Sequence, residues 1–116
     1  MKPVTVDAFS SEPFGGNPAG VAVFGDKLPE EAEMRQIAAN MGYSETAFIL
    51  PVGGNEFRIR YFTPVEEVPL CGHATVGSFA YMLKAGLVKE GECYVAKTGA
   101  GDINVDIANG LVWLDM

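Results

Sequence analysis

The sequence has few of the residues that several functional classes require. It contains one histidine and two cysteines among 116 residues. A tetrahedral zinc site needs about four nitrogen or sulfur ligands, so this chain is not expected to hold a metal. A small secreted scaffold is usually richer in cysteine, so we expect free thiols and a cytoplasmic location.

Basic residues and long apolar runs are also scarce. Lys and Arg number 8 against 15 Asp and Glu, which gives a net charge of −7. Nucleic acids and anionic membrane surfaces attract a basic face, so neither is expected as a partner. The first residues, MKPVTVDAF, lack an apolar run of signal-peptide length, and no segment approaches the ~18–20 apolar residues of a membrane span.

The composition favours one folded domain over residues 1–116. Apolar residues make up 48% of the chain, which is too many for a disordered protein. A chain of this length can also bury a core of its own.

Two segments have the pattern of helices. In 29–41, apolar residues recur at i, i+3, i+4 and i+7 before a glycine, which predicts a helix with one apolar face. In 72–84, apolar residues surround most of the helix, which predicts a buried element. The apolar positions of the first segment are Met34, Ile37, Ala38 and Met41. In the second, one stripe is formed by Val76, Phe79, Ala80 and Leu83, and the rest of the girth carries Ala74, Tyr81 and Met82.

Seven short segments are typical of strands, with a loop predicted over 10–20 and a hairpin turn at Asn109-Gly110. A buried helix must be covered by apolar strand faces. We therefore predict an α+β fold, in which a curled antiparallel or mixed sheet, or barrel-like lobe, surrounds the central helix 72–84 and helix 29–41 lies outside. The predicted strands are 3–9, 20–24, 43–52, 56–63, 92–98, 102–108 and 111–116.

Cys71, Gly72 and His73 lie together at the start of the second helix. The first N–H groups of a helix lack partners and attract anions. Gly72 leaves room for a ligand, His73 can donate a hydrogen bond or transfer a proton, and the pKa of an exposed Cys71 thiol would be lowered there. Alternatively, Cys71 belongs to the core and His73 only packs beside the helix, and the spacing alone does not decide.

Glu45 follows Ser44 and opens an otherwise apolar strand. A carboxylate among apolar residues can be partly desolvated, which suits a general acid or base. The alternative is a solvated glutamate at a strand edge. The stretch GGNPAG, 15–20, could contact a ligand through its backbone or Asn17, but ordinary turns have the same composition.

The stretches VDAFSSEPFGGNPAGV, IAANMGYSETAF and FRIRYFTPVEEVPLCGHAT together resemble the phenazine-biosynthesis PhzF-like family. Their order and spacing match the family over essentially the whole chain. The family has the diaminopimelate-epimerase-like fold, with two similar lobes around an active-site cleft, and each lobe is a barrel-like sheet around a central helix. The resemblance implies that residues 1–116 are equivalent to the first lobe.

The resemblance also implies a function. It indicates an isomerase or epimerase that moves a proton on a small carboxylate-bearing substrate and needs no cofactor. It implies that Glu45 is the general acid/base, that Gly72 and His73 lie at the substrate carboxylate, and that Ser44 and Asn17 lie near the pocket.

The resemblance also implies a role for Cys71 and the need for a second lobe. Related epimerases use a cysteine of this lobe as a catalytic base, but PhzF-like members use the glutamate, so Cys71 is expected to line the substrate pocket. The family's second lobe supplies a catalytic aspartate and a glycine-rich loop that this sequence lacks. We therefore expect either that missing lobe or a homodimer as partner. The alternative function is a catalytically silent domain that binds a small ligand or a protein.

Overall fold

The structure is a computed structural model that describes residues 6–14, 17–42 and 45–115. The described residues form two helices, α1 and α2, and eight strands, β1 to β8, numbered in chain order. The helices are Glu31–Met41 and Gly72–Ala85, and the strands are Val6–Phe14, Asn17–Phe24, Glu45–Gly53, Glu56–Phe62, Glu67–Val68, Cys93–Thr98, Gly101–Ala108 and Leu111–Asp115.

The strands form one mixed sheet. Its order is β1-β2-β3-β4-β6-β7-β8, and the short β5 pairs with β4. Two pairs are parallel, β2 with β3 and β4 with β6, and each parallel pair is connected through a helix, as crossover connections require. Helix α2 contacts both β1 and β8, which stand at opposite ends of this order, so the sheet curls around it. The predicted α+β fold with a mixed sheet around α2 is confirmed.

Each face of the sheet packs against one helix. Alternate residues of β2 divide between the two faces, with Val21 and Val23 on the side of α2 and Ala22 and Phe24 on the side of α1. The α1 side holds a smaller cluster that includes Met34, Phe48 of β3 and Phe62 of β4. This alternation follows from the two-residue period of a strand and explains why the consecutive residues 21–24 of β2 and 47–50 of β3 are all apolar.

Helix α2 is buried on one side rather than around most of its girth. Six of its fourteen residues are buried and His73, Lys84 and Ala85 are exposed. The buried side includes Thr75 and Ser78, whose hydroxyls donate to the carbonyls four residues earlier at 2.8 and 2.6 Å. These internal hydrogen bonds allow polar residues on the core face, which an apolar pattern cannot reveal.

The loop predicted over 10–20 is wrong, because β1 and β2 pair antiparallel through most of it. Their register places Pro13 opposite Pro18 and Phe14 opposite Asn17. Strand β1 is an end strand of the described sheet, where proline is tolerated, and Pro18 precedes the first residue of β2 that pairs with β3. The composition was therefore typical of a turn although the backbone is extended.

The predicted C-terminal end of α1 and the last hairpin are confirmed. Gly42 closes α1 with φ 75°, and Asn109 and Gly110 have φ 55° and 74°, as a two-residue hairpin of this type requires. Helix α1 begins at Glu31 rather than at the predicted Pro29. Within the described part of the chain, neither helix is long and apolar enough to cross a bilayer.

Substitution of Phe79 tests the packing of α2. It is fully buried and packs edge to face against Phe57, with ring centroids 5.7 Å apart. Replacing Phe79 with Ala should lower the free energy of unfolding by ~3–5 kcal/mol in a denaturant titration, because a large cavity remains. Val65→Ala, at a side chain that is 79% exposed, is the control and should change it by under ~0.5 kcal/mol. A loss below ~1 kcal/mol for Phe79→Ala would contradict this packing.

Candidate functional site

Glu45 and Cys71 come together although 26 positions separate them in the sequence. Glu45 is the first residue of β3, and it shares the alternation of Ala47 and Ile49, which belong to the core on the side of α2. Cys71 is the N-cap of α2 and packs against the same core. The Glu45 carboxylate consequently lies close enough to the Cys71 thiol for its charge to raise the pKa of the thiol.

The Cys71 thiol is half-buried, and its environment favours the protonated form. Burial raises its pKa most, and the Glu45 carboxylate raises it further. The N–H groups of Ala74 and His73, in the first turn of α2, lower it in part. The expected lowering by the helix start is thus present, but burial and the neighbouring carboxylate outweigh it. A lowered pKa was predicted for an exposed thiol, and the half-buried Cys71 does not meet that condition.

The head of α2 is open on the side of Gly72. Gly72 is partly exposed, and an added Cβ there would meet no described atom within 4 Å. The His73 side chain is exposed, so it is not part of the core. The first N–H groups of α2 and an exposed imidazole are therefore available to an anionic ligand beside Glu45.

The remaining residues predicted for the site are Ser44 and Asn17. Ser44 lies outside the described residues. Asn17 is the first residue of β2, and its backbone pairs with Phe14. Two positions later, Ala19 is in parallel register with Glu45. The start of β2 therefore lies beside the start of β3, which is compatible with the predicted place of Asn17.

Two hydroxyls beneath this site were not predicted from the sequence. Tyr61 of β4 is fully buried, and its hydroxyl lies 2.5 Å from Thr75 Oγ1 in α2. Burial raises the pKa of Tyr61 to about 12, so its hydroxyl stays protonated at neutral pH. Thr75 Oγ1 donates to the Cys71 carbonyl at 2.8 Å. Threonine four residues after Cys71 was the available signal, since it can bond back one helical turn.

A second cleft of about 370 Å³ contains none of the predicted site residues. Two of its three cations are paired within the cleft, because Arg60 donates to Glu67 at 2.7 and 2.8 Å and Lys97 lies 3.2 Å from Asp102. Among the residues that the structure describes, no group of three possible metal ligands occurs. The cleft is lined by Arg58, Ile59, Arg60, Glu67, Lys97, Thr98, Gly99 and Asp102.

Known proteins share both the sequence and the fold. The sequence profile of the family described as "Phenazine biosynthesis-like protein" (PhzC-PhzF) matches residues 6–112. A curated relative, "Uncharacterized isomerase YddE" of Escherichia coli O157:H7, is 50% identical over 110 residues, which cover 92% of this chain and 36% of the relative. The chain therefore spans little more than a third of that protein.

Solved structures agree with these matches. The phenazine biosynthesis protein of the PhzF family from Bacillus anthracis superposes with a TM-score of 0.74 and 34% identity, over 98% of this chain and 40% of that one. A hydroxyproline epimerase from Agrobacterium vitis has a TM-score of 0.72 at 14% identity, over 93% of this chain and 40% of that one, and shows the shared fold alone. On the family match and the identity to its relatives, this chain belongs to the phenazine biosynthesis-like, or PhzF-like, family.

Proposed function

We propose that residues 1–116 act as the first lobe of an isomerase or epimerase that moves a proton on a small carboxylate-bearing substrate, with Glu45 as the general acid/base. The observation that carries the proposal is the position of Glu45 beside the open head of α2. The family and the relatives named as isomerases support the reaction class.

The substrate carboxylate would bind at the head of α2. The positive end of the helix dipole and the free space at Gly72 suit an anion there, and the exposed His73 imidazole can donate a further hydrogen bond. Binding at this end would place the adjacent carbon of the substrate near Glu45. Asn17 and Ser44, near the start of β2 and β3, would complete the pocket.

Glu45 would then take a proton from that carbon and return it to the product. When the C–H bond breaks, its electron pair moves into the conjugated system or carboxylate of the substrate, and the helix N-terminus stabilises the negative charge. The Cys71 thiol stays protonated and lines the pocket, because burial and Glu45 both raise its pKa. This step uses only groups of this lobe and no cofactor.

The family resemblance implies a second proton-transfer group, the aspartate of the second lobe, which would come from outside the described site. Because the chain spans about 36% of its relative, a further lobe is one source. A second copy of the chain is the other, since a two-fold pair of similar lobes could imitate a complete molecule. The exposed side chains of Leu111 and Trp113 in β8 offer apolar surface for such a contact. In a self-paired cleft, two Glu45 carboxylates would share one site, which favours one protonated and one ionised form.

Hydrogen exchange at carbon tests the reaction. In D2O, the chain should incorporate deuterium into at least one of a panel of small cyclic carboxylates, observed by proton NMR. Glu45→Gln should abolish this exchange, because an amide cannot transfer the proton. Glu56→Gln is the matched control, since Glu56 is also partly exposed and opens β4 as Glu45 opens β3, and it should exchange normally. Exchange that survives in Glu45→Gln would refute the glutamate mechanism, and binding without exchange would favour the silent binding domain.

Light scattering at micromolar concentration tests the assembly. We expect twice the mass of one chain, because the exposed side chains of Leu111 and Trp113 leave apolar surface on β8 for a second copy. Glu45→Gln should leave that mass unchanged, which separates assembly from chemistry. A strictly monomeric chain would contradict the homodimer and leave a further lobe as the source of the second group.

A further inference from the structure

The hydroxyl of Tyr61 is buried in an otherwise apolar part of the core. Phe57, Ile59 and Tyr61 alternate along β4 and face the same apolar cluster against α2. Removing a hydroxyl from water is unfavourable unless it is hydrogen-bonded, and phenylalanine would avoid that requirement. Among the described residues, the hydroxyl of Tyr61 has Thr75 as its hydrogen-bonding partner.

The direction of these hydrogen bonds follows from the number of hydrogens. Thr75 has one hydroxyl hydrogen, and it is donated to the Cys71 carbonyl at 2.8 Å. The Tyr61 hydroxyl must therefore donate to Thr75 Oγ1 across their 2.5 Å contact. The result is a hydrogen-bonded chain from β4 to the N-cap of α2, which runs Tyr61 O–H to Thr75 O–H to Cys71 C=O.

The chain ends on the backbone of the candidate site. The Cys71 carbonyl also accepts the Thr75 N–H at 3.0 Å, so Thr75 binds it twice. Cys71 is extended, with φ −139° and ψ 114°, and the next residue begins the helix. A shift of this carbonyl would move the Cys71 thiol and the first N–H groups of α2 together.

We propose that Tyr61 and Thr75 are positioning residues for the candidate site: their hydrogen-bonded chain holds the N-cap Cys71 so that its thiol stays against Glu45 and the head of α2 keeps its place. The purpose of this arrangement depends on the proposed function. Its geometry can be tested without any turnover, because the reactivity of the Cys71 thiol depends on the groups around it.

The reporter is the pH profile of alkylation of Cys71 by iodoacetamide, measured in a Cys93→Ser background because Cys93 is exposed. The titratable groups around the thiol are Glu45 from β3, Tyr61 from β4 and His73 in α2 itself. Since the Glu45 charge raises the pKa of Cys71, Glu45→Gln lowers it and increases the thiolate fraction at a given pH. Alkylation at pH 8 should become at least about twofold faster, because the thiolate is the nucleophile.

Removing the hydrogen-bonded chain should release the thiol from its position against Glu45, so that the carboxylate no longer raises its pKa. In Tyr61→Phe and in Thr75→Val, the alkylation profile should move to lower pH by an amount similar to that in Glu45→Gln. Adding Glu45→Gln to either variant should then change the rate by less than about 1.5-fold, which a double-mutant cycle measures as coupling. Thr75→Ser keeps the hydroxyl and should restore the parent profile.

Tyr94→Phe is the matched control. Tyr94 is also buried, and its hydroxyl accepts one hydrogen bond, from the Lys89 N–H at 2.8 Å, away from Cys71. Its removal should lower the melting temperature without moving the alkylation profile. If Tyr61→Phe and Thr75→Val behave in the same way and retain the full effect of Glu45→Gln, Tyr61 and Thr75 only pack the core and the proposal is overturned. Should Tyr61→Phe fail to fold, the comparison of Thr75→Val with Thr75→Ser decides. An inactive but folded chain would refute the proposed function and leave this result unaffected.

Discussion

The burial of α2 against the concave side of the sheet is the interaction on which the rest of the structure depends. It places the larger core between the helix and β2, β3, β4, β6 and β7, and it leaves the smaller core for α1 on the other face. The same packing brings the start of α2 next to the start of β3, because helix and strand are held against each other. The candidate site is thus formed where two elements begin, and its geometry follows from the core rather than from the exposed residues themselves.

The pKa of the Cys71 thiol is set by opposing effects, and the effect of the helix N-terminus is the weaker one. A helix N-terminus favours the anionic form of a nearby thiol, whereas burial and an adjacent carboxylate disfavour it. At Cys71 the latter two prevail, so the thiol keeps its proton at neutral pH. This suits chemistry in which a carboxylate exchanges protons and the thiol remains neutral. It also distinguishes the site from one built around a thiolate.

Much of the fold could be predicted from the sequence, since it follows local periodicity. The stripe of Met34 and Ala38 and the stop at Gly42 located α1, and Asn109-Gly110 located the last hairpin. The pairing of β1 with β2 was not predictable in this way, because the prolines of both strands and Gly20 of β2 give this pair the composition of a loop. The candidate site residues came from the motifs around Glu45 and Cys71. The buried hydroxyls of Tyr61 and Thr75 did not, since only the three-dimensional arrangement shows that a strand residue and a helix residue share a hydrogen bond.

The two-residue alternation of β3 constrains how this lobe can vary in length. Glu45 faces α2 because it is in step with Ala47 and Ile49. Deleting one residue between Glu45 and Ala47 would turn the carboxylate towards α1 while the core remained in register. Insertions before Glu45, between the end of α1 and the start of β3, would leave its direction unchanged. Length variation among related proteins should therefore be tolerated before this glutamate and excluded just after it.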